Sequence, residues 1–594
     1  MGLFKKMAVL ARSIANRYLL FTNYCNKSTV NIIGLRKFSG FSRHCLLLRR
    51  FRANISIVAA FNGNKQASFN SSIESQNGGK KLGTFEKLIF FRKNEANRSV
   101  IVQVQSPESY ADLYSYCCEF GQINSMHHYV LAKNSYFFII EFDDIGSKRA
   151  LMNASTHLNY SEIIPVQSQM LWFRKIPKQK QKIMKDIPEM VKYTEKPNNE
   201  TITLALTEAK SINQQIQILY ESWKLDDVET RLRYLTASQL ESCFFSMFPN
   251  ISVLPFGSSV NGFGRKGCDL DLVLSLELNK IENANSRLVF HTKSAMSEER
   301  AQTQRSMEVI SFIMQHFIPC VTNVRKILHA RVPIIKYDHK LTGLECDLSM
   351  TNMAAIYMSE LLYLYGEINS NVRPLVFTIR QWAASVGITN SLPGHWISNF
   401  SLSLMVLFFL QSKKILPSLN SLQNIAQTSD VRITDTCVDC TFVRDITKWP
   451  AINTSDSDSL ENLLSDFYHF YANYDFTTKA ISLRDGKSIY KPDSSPLYIC
   501  NPLEKTLNVS KNVNSMEITR FINATQNAMM LMDESNEQYS RGLLDIFVEK
   551  RPQQQIMVRR IDKKVRIADI FQMGKNLNDE IQNTRSKKER ARRR

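Results

Sequence analysis

One stretch, Phe256 to Leu274, FGSSVNGFGRKGCDLDLVL, constrains the fold of this 594-residue chain more than any other. It opens with Gly257, Ser258 and Ser259 at the expected exit of a strand over residues 251–256. It closes with Asp269 and Asp271 on an expected second strand over residues 270–274. Side chains alternate along a strand, so residues two apart share a face, with alpha carbons roughly 6.5 to 7 Å apart. The two carboxylates thus point the same way. Their face is not core, because an unpaired buried charge costs several kcal/mol, while Leu270, Leu272 and Leu274 pack on the other side. Such a pair invites a divalent cation.

A Gly-Ser turn ahead of a paired-Asp strand suits a nucleoside triphosphate. Successive backbone N–H groups at Gly257, Ser258 and Ser259 can form an anion-binding nest, and the Ser258 hydroxyl can reach a terminal phosphate oxygen. Two hard ions, Mg²⁺ or Mn²⁺, about 3.5 to 4 Å apart and held by carboxylates, would activate an attacking hydroxyl and steady a leaving pyrophosphate. That chemistry needs a third acid. Asp347 is the candidate, in the segment 346–350 that follows an apolar strand over 332–337 and a polar turn.

The order of strand, GS turn, D-x-D strand and later strand with Asp resembles the nucleotidyltransferase superfamily related to DNA polymerase β, whose signature is hG[GS], then DhD, then a distant third acid. Two downstream stretches carry the resemblance further. Residues 371–419, NVRPLVFTIRQWAASVGITNSLPGHWISNFSLSLMVLFFLQSKKILPSL, are similar to the central domain of template-independent poly(A) polymerases and terminal uridylyltransferases. Residues 492–513, PDSSPLYICNPLEKTLNVSKNV, are similar to their poly(A)-polymerase-associated segment. In detail the chain is most similar to the mitochondrial poly(A) polymerase branch, over roughly residues 201–533.

The resemblance implies an α+β fold: a polymerase-β-like nucleotidyltransferase sheet domain with an α-helical central domain and an N-terminal RRM-like module. It implies template-independent addition of adenylate from ATP to RNA 3′ ends, polyadenylation of mitochondrial RNA, by two-metal nucleotidyl transfer through Asp269, Asp271 and Asp347. Residue by residue, it implies base and ribose contacts at Asn352 and Ser359, a triphosphate contact at Arg380 where the family has lysine, and a phosphate-contacting and base-stacking pair at Asn399 and Phe400. Departures fall at Ala384, where the wider family has a second triphosphate lysine, at Met358, its ribose asparagine, and at Asn501-Pro502, its usual Asp-Pro. Uridylyl-adding members carry a histidine immediately before the Asn-Val of the associated segment. Leu507 stands there, with no donor for a uracil edge, which implies ATP over UTP. The alternatives are a terminal uridylyltransferase and an inactive RNA-binding scaffold, the latter disfavoured by the three intact acids.

Composition supports a nucleic-acid partner. The chain carries 75 Lys plus Arg against 55 Asp plus Glu, a net +20, and that excess favours a polyanion. Its 44% hydrophobic residues suffice for several cores. The 11 cysteines form no repeating framework, and the single C-x-x-C, Cys437 to Cys440, lacks a second ligand pair, so reduced thiols and no structural zinc are expected. Residues 397–411 are too short and too interrupted for a membrane span.

Residues 1–73 contain no Asp or Glu while Arg and Lys recur among Leu, Ile and Phe, the composition of a presequence for the mitochondrial matrix. A disordered basic RNA-binding arm is the competing reading. The expected divisions are a presequence over 1–45, a flexible linker over 46–83, the RRM-like module over 84–175 and a charged linker over 176–200. The catalytic domain follows over 201–350, the central and poly(A)-polymerase-associated domain over 351–545, and a basic tail over 546–594. Within the module, strands over 99–104, 129–132, 136–142 and 169–173 and helices over 109–120 and 145–154 give the order βαββαβ. Such modules stack bases on aromatic side chains of one sheet face. Here Phe137 is followed two residues on by Ile139, and residues 100–104 offer no aromatic. Packing or homodimer formation is expected of the module ahead of direct RNA binding, and the resemblance implies the dimer.

Overall fold

The computed structural model describes residues 84–131, 135–155, 169–173, 191–192, 199–245, 247–248, 251–275, 299–350, 352–390, 392, 394–434, 436–445, 459–534 and 542–547. The expected presequence, the flexible linker over 46–83, most of the charged linker and almost all of the basic tail lie outside the described residues.

Helix α1 (Thr84–Asn97) leads into strand β1 (Ser99–Val104), helix α2 (Tyr110–Cys118), strands β2 (Ile123–Leu131) and β3 (Ser135–Phe142), helix α3 (Ile145–Ala154) and short strands β4 (Met170–Trp172) and β5 (Val191–Lys192). The strands form one sheet in the order β4-β1-β3-β2-β5. β2 begins six residues before the expected 129, because its first half, INSMHH, is polar and gives no apolar alternation to read. β4 runs parallel to β1. A split βαββαβ unit with two right-handed parallel crossovers would set those two strands antiparallel, so the element order agrees with the expectation and the direction of the last strand does not.

β3, SYFFIIEF, is apolar on both faces and covered on both. Val100, Val102, Val104, Phe138 and Ile140 pack with Leu113 of α2 and Leu151 of α3. On the other face, Ile101, Tyr129, Phe137 and Ile139 share a core with Phe85 of α1 and with Val228, Leu232 and Leu235 of helix α6 (Asp227–Phe244). The candidate base-stacking surface is thus closed within the chain, with Phe137 2% and Ile139 0% exposed. At the margin, Arg231 of α6 reaches Glu95 at 2.8 Å, Glu141 at 2.7 Å and Asp227 at 2.6 Å, while Arg98 pairs with Glu141 at 2.6 Å. Burial opposes ionisation of Glu141, yet the hydrogen bonds from Arg98 and Arg231 together hold its carboxyl below the usual range.

Two helices follow, α4 (Asn199–Glu208) and α5 (Ile212–Trp223). Ser211 makes the break: its hydroxyl accepts from the Gln214 N–H at 3.2 Å and caps α5. After α6 come strands β6 (Ser252–Phe256) and β7 (Leu270–Ser275), helix α7 (Glu299–Phe317), and strands β8 (Val321–Ile327), β9 (Ile334–His339) and β10 (Leu344–Met350). Their sheet order is β6-β7-β10-β9-β8, with β7 and β10 parallel at the centre and the other pairs antiparallel. β9 starts two residues later than expected because residues 328–333 turn. Leu270, Leu272 and Leu274 join Leu235 of α6 and Met307, Ile310 and Met314 of α7 in one core, so strand alternation turns Asp271 to the opposite face. His339, 1% exposed, pins α6 to this sheet through Gln239 Oε1 at 2.8 Å and Thr342 Oγ1 at 2.7 Å.

The remainder is mainly helical: α8 (Met353–Ile368), α9 (Val372–Ser385), α10 (Asn399–Ser412), α11 (Leu419–Asn424), α12 (Leu460–Ala472), α13 (Ser515–Glu534) and α14 (Leu543–Ile546), with a hairpin of β11 (Lys479–Ser482) and β12 (Lys487–Tyr490). Pro374 sits in the first turn of α9, where its missing N–H costs no hydrogen bond. α10 is apolar all round because it is surrounded: Leu402 through Leu410 are buried on every side. Among the described residues no helix is long and apolar enough to cross a membrane. The described cysteines are free thiols, with Cys437 exposed and Cys440 buried.

Candidate active site

The site begins where β6 ends. Gly257 takes φ +65°, and a Cβ there would lie 2.8 Å from Asp271 Oδ2, so both the turn and the neighbouring carboxylate require glycine. Its N–H donates to Ser359 Oγ of α8 at 2.7 Å, and that hydroxyl donates onward to Ala355 O at 2.6 Å. Ser359 is 1% exposed and lies beneath the turn, where its hydroxyl positions Gly257. Ser258 is half-buried, whereas Ser259 is 5% exposed with a hydroxyl that has no partner among the described residues. Of the two serines, Ser258 is the one a phosphate can reach.

The carboxylates gather on the face opposite the α6 and α7 core. Asp271 and Asp347 stand directly opposite each other in the parallel β7–β10 pair, and Asp269 lies one residue before β7 rather than within it. Successive strand pairs extend the row: Phe256, Asp271, Asp347, Lys336 and Arg325 face one another across all five strands. Lys336 Nζ reaches Asp347 Oδ1 at 2.8 Å and Oδ2 at 2.6 Å. Burial first, and then the charges of Asp347 and Asp269, push Asp271 up to about 7. Asp269 is raised too, by burial, by Asp347 and by Glu345.

Sequence reasoning missed Lys336, Arg325 and Glu345. Glu345 had a signal, since E-C-D on β10 repeats the D-L-D spacing of β7 and places a fourth acid on the same face. Lys336 and Arg325 had none, because strand register is not visible before pairing. As placed, no three acids, histidines or cysteines among the described residues close on one point, with Asp347 drawn to Lys336. The donor set still fits a hard divalent cation: oxygen ligands only, on or beside two adjacent strands, with burial and then the charges of Asp347 and Asp269 lifting Asp271.

The expected nucleotide contacts come from two helix starts, the body of a third helix and one loop. Asn352 precedes α8, half-buried and without a capping bond from its side chain. Asn399 and Phe400 open α10, both exposed, with Ser398 as the cap that accepts from Ser401 N–H. Arg380 of α9 donates to Phe263 O at 2.6 Å and approaches Asn399 Oδ1 at 3.4 Å. Burial, with some contribution from nearby Arg265, pushes it down to about 10. Leu507 is half-buried in a turn anchored by Asn508, whose side chain bonds Ile499 N, Ser510 N and Leu497 O. Asn501, where the family has aspartate, accepts from the Leu503 and Glu504 N–H groups at 2.9 and 3.0 Å. An amide oxygen does this as well as a carboxylate, so that departure leaves the turn intact. Arg331, between β8 and β9, pairs with Glu504 and ties the sheet to this loop.

A Gly-Ser turn over paired aspartates, flanked by a helical domain, defines a nucleotidyltransferase, and residues 212–367 match the family model "Poly(A) RNA polymerase, mitochondrial-like, central palm domain". The chain is 38% identical over 559 residues to "Poly(A) RNA polymerase, mitochondrial" of Drosophila melanogaster, covering 89% of this chain and 90% of the fly protein. It is 35% identical to the Homo sapiens protein of the same name, covering 83% and 85% of the two chains. The chain belongs to the mitochondrial poly(A) RNA polymerase family. Among solved structures, those of mtPAP with ATPγS and with UTP each superpose with a TM-score of 0.70, at 32% and 33% identity, over 78% of this chain and 99% of theirs.

Proposed function

We propose that this chain adds adenylate from ATP, without a template, to the 3′ ends of RNA in the mitochondrial matrix. The observation that carries the reading is the Asp271–Asp347 pair beneath the Gly257 turn, in a chain of this family. ATP lies between the sheet and the helical domain, with its triphosphate at Ser258, Asn399 and Arg380 and its base on exposed Phe400. Asp347 orients the RNA 3′ hydroxyl and draws its proton. The hydroxyl oxygen attacks the α-phosphorus, the bond from that phosphorus to the bridging oxygen breaks, and pyrophosphate leaves. Mg²⁺ or Mn²⁺ held by Asp269, Asp271 and Asp347 would supply the Lewis acidity for attack and departure.

The domains are read with the boundaries given above, including an RRM-like module over 84–175 that forms a homodimer. Closure of its aromatic face against α6 counts against base reading on that face. The acid-free residues 1–73 support import, and Leu507 supports adenine over uracil. Purified protein, a short RNA and each nucleotide in turn test the proposal. Long ATP-dependent extension is expected, and a preference for UTP would replace the assignment with uridylyl transfer. Sedimentation tests the dimer: loss of residues 84–175 should yield monomers, and a monomeric full chain would refute it.

A further inference from the structure

Two guanidinium groups meet in the cleft without an acid between them. A cavity between α5 and α9 is lined by Trp223, Arg265, Arg380, Gln381, Ala384 and Asn399, among others. Arg265, in the loop between the Gly-Ser turn and β7, lies over the Trp223 ring at 4.2 Å and its Nη1 donates to Gln381 Oε1 at 3.3 Å. Arg380 enters from α9 and is held by Phe263 O at 2.6 Å. Three buried arginines elsewhere are neutralised: Arg231 by Glu95 and Glu141, Arg233 by Glu229, Arg444 by Glu360. Among the described residues neither Arg265 nor Arg380 has such a partner, and burial lowers both from the usual arginine value. Like charges desolvated together, with only neutral partners, are costly to hold unless an anion joins them.

We infer that Arg265 binds the triphosphate of the incoming nucleotide, forming with Arg380 a two-guanidinium seat for its β- and γ-phosphates. The guanidinium fork matches paired phosphate oxygens, and the flat stack on Trp223 fixes its plane. Ala384 leaves room in the same cavity, where the resemblance places a second lysine, so the charge missing from α9 arrives from the loop between turn and carboxylates. The inference rests on the nucleotidyl-transfer reading for the identity of the anion.

The test compares the full-length wild-type chain with Arg265→Met and Arg265→Lys. Binding of inorganic tripolyphosphate, ATP and AMP is measured without RNA, and kcat and KM for ATP are measured with it. Arg265→Met should weaken tripolyphosphate and ATP by roughly 10- to 100-fold, the scale of one or two charge-assisted hydrogen bonds, leave AMP unchanged and raise KM more than it lowers kcat. Arg265→Lys should recover much of the loss. Equal weakening of AMP and ATP, or an unchanged tripolyphosphate affinity, would show that Arg265 only packs on Trp223 and would overturn the inference. A wild-type chain that binds tripolyphosphate through Arg265 yet extends no RNA would uphold the seat and sink the polymerase reading.

Discussion

The Gly257 amide donates to the Ser359 hydroxyl at 2.7 Å, so the Gly-Ser turn is held by helix α8. The same glycine is pressed against Asp271, whose Oδ2 would stand 2.8 Å from any added Cβ. One backbone position thus sets the distance between the Gly-Ser turn and the carboxylates.

Replacing either partner should separate positioning from folding. Ser359→Ala leaves a half-buried N–H without its acceptor, which costs roughly 1 kcal/mol and should lower both Tm and kcat. Gly257→Ala adds a side chain at positive φ and against Asp271, and should reduce extension further. Calorimetry and extension rates on both variants check this; full activity in Gly257→Ala would refute the geometry.

Arg231 should matter to stability far from the chemistry. It serves Glu95, Glu141 and Asp227 together, with the Glu141 side chain 1% exposed. Arg231→Ala takes one of two guanidinium partners from each acid, leaving Arg98 on Glu141 at 2.6 Å and Arg92 on Glu95 at 2.9 Å and on Asp227 at 2.6 Å, and should cost roughly 1 to 3 kcal/mol, read as an early first transition in thermal unfolding. A Tm equal to wild type would mean that Arg98 and Arg92 alone hold the module.

Acid should loosen the join between α6 and the sheet. Burial pushes His339 down to about 4 from an ordinary 6.5. The folded chain then binds fewer protons at this site than the unfolded chain between those values, so its contribution is complete above pH 6.5 and is lost as pH falls toward 4. The contribution is on the order of 3 kcal/mol. His339→Gln should be less stable at about pH 7.5 yet flatter across that window; parallel pH curves for the two proteins would exclude His339.

Base choice should respond to Leu507. A histidine there can bond a uracil edge that leucine leaves desolvated, a difference of roughly 1 to 3 kcal/mol. Leu507→His should therefore raise UTP use relative to ATP by about tenfold or more in kcat/KM. An unchanged ratio would remove Leu507 from the selectivity argument.

Much of the catalytic domain was legible before folding because its signals are local. LDLVLS alternates toward the core and turns Asp271 away from it, and the GS turn needs only one strand before it, whereas Asp269 lies one residue outside that alternation. The module's occlusion was not legible, since nothing in Phe137 and Ile139 tells which surface will cover them. The placement of Ser359 was likewise hidden: a serine in a helix reads the same whether it faces ribose or a backbone amide. Arg265 escaped attention because lack of an acid partner is a property of three dimensions. The Lys336 pairing depended on a register that exists only once β9 and β10 align.

The central claim is that the aspartates under the Gly257 turn carry nucleotidyl transfer, and Asp271→Asn tests it most directly. The substitution keeps shape and removes one charge from a self-repelling, buried cluster, so Tm should hold or rise. Extension of RNA with ATP and Mg²⁺ should fall to background, as it should for alanine at Asp269 or Asp347. An Asp271→Asn chain that retained more than a few per cent of wild-type extension would contradict the account.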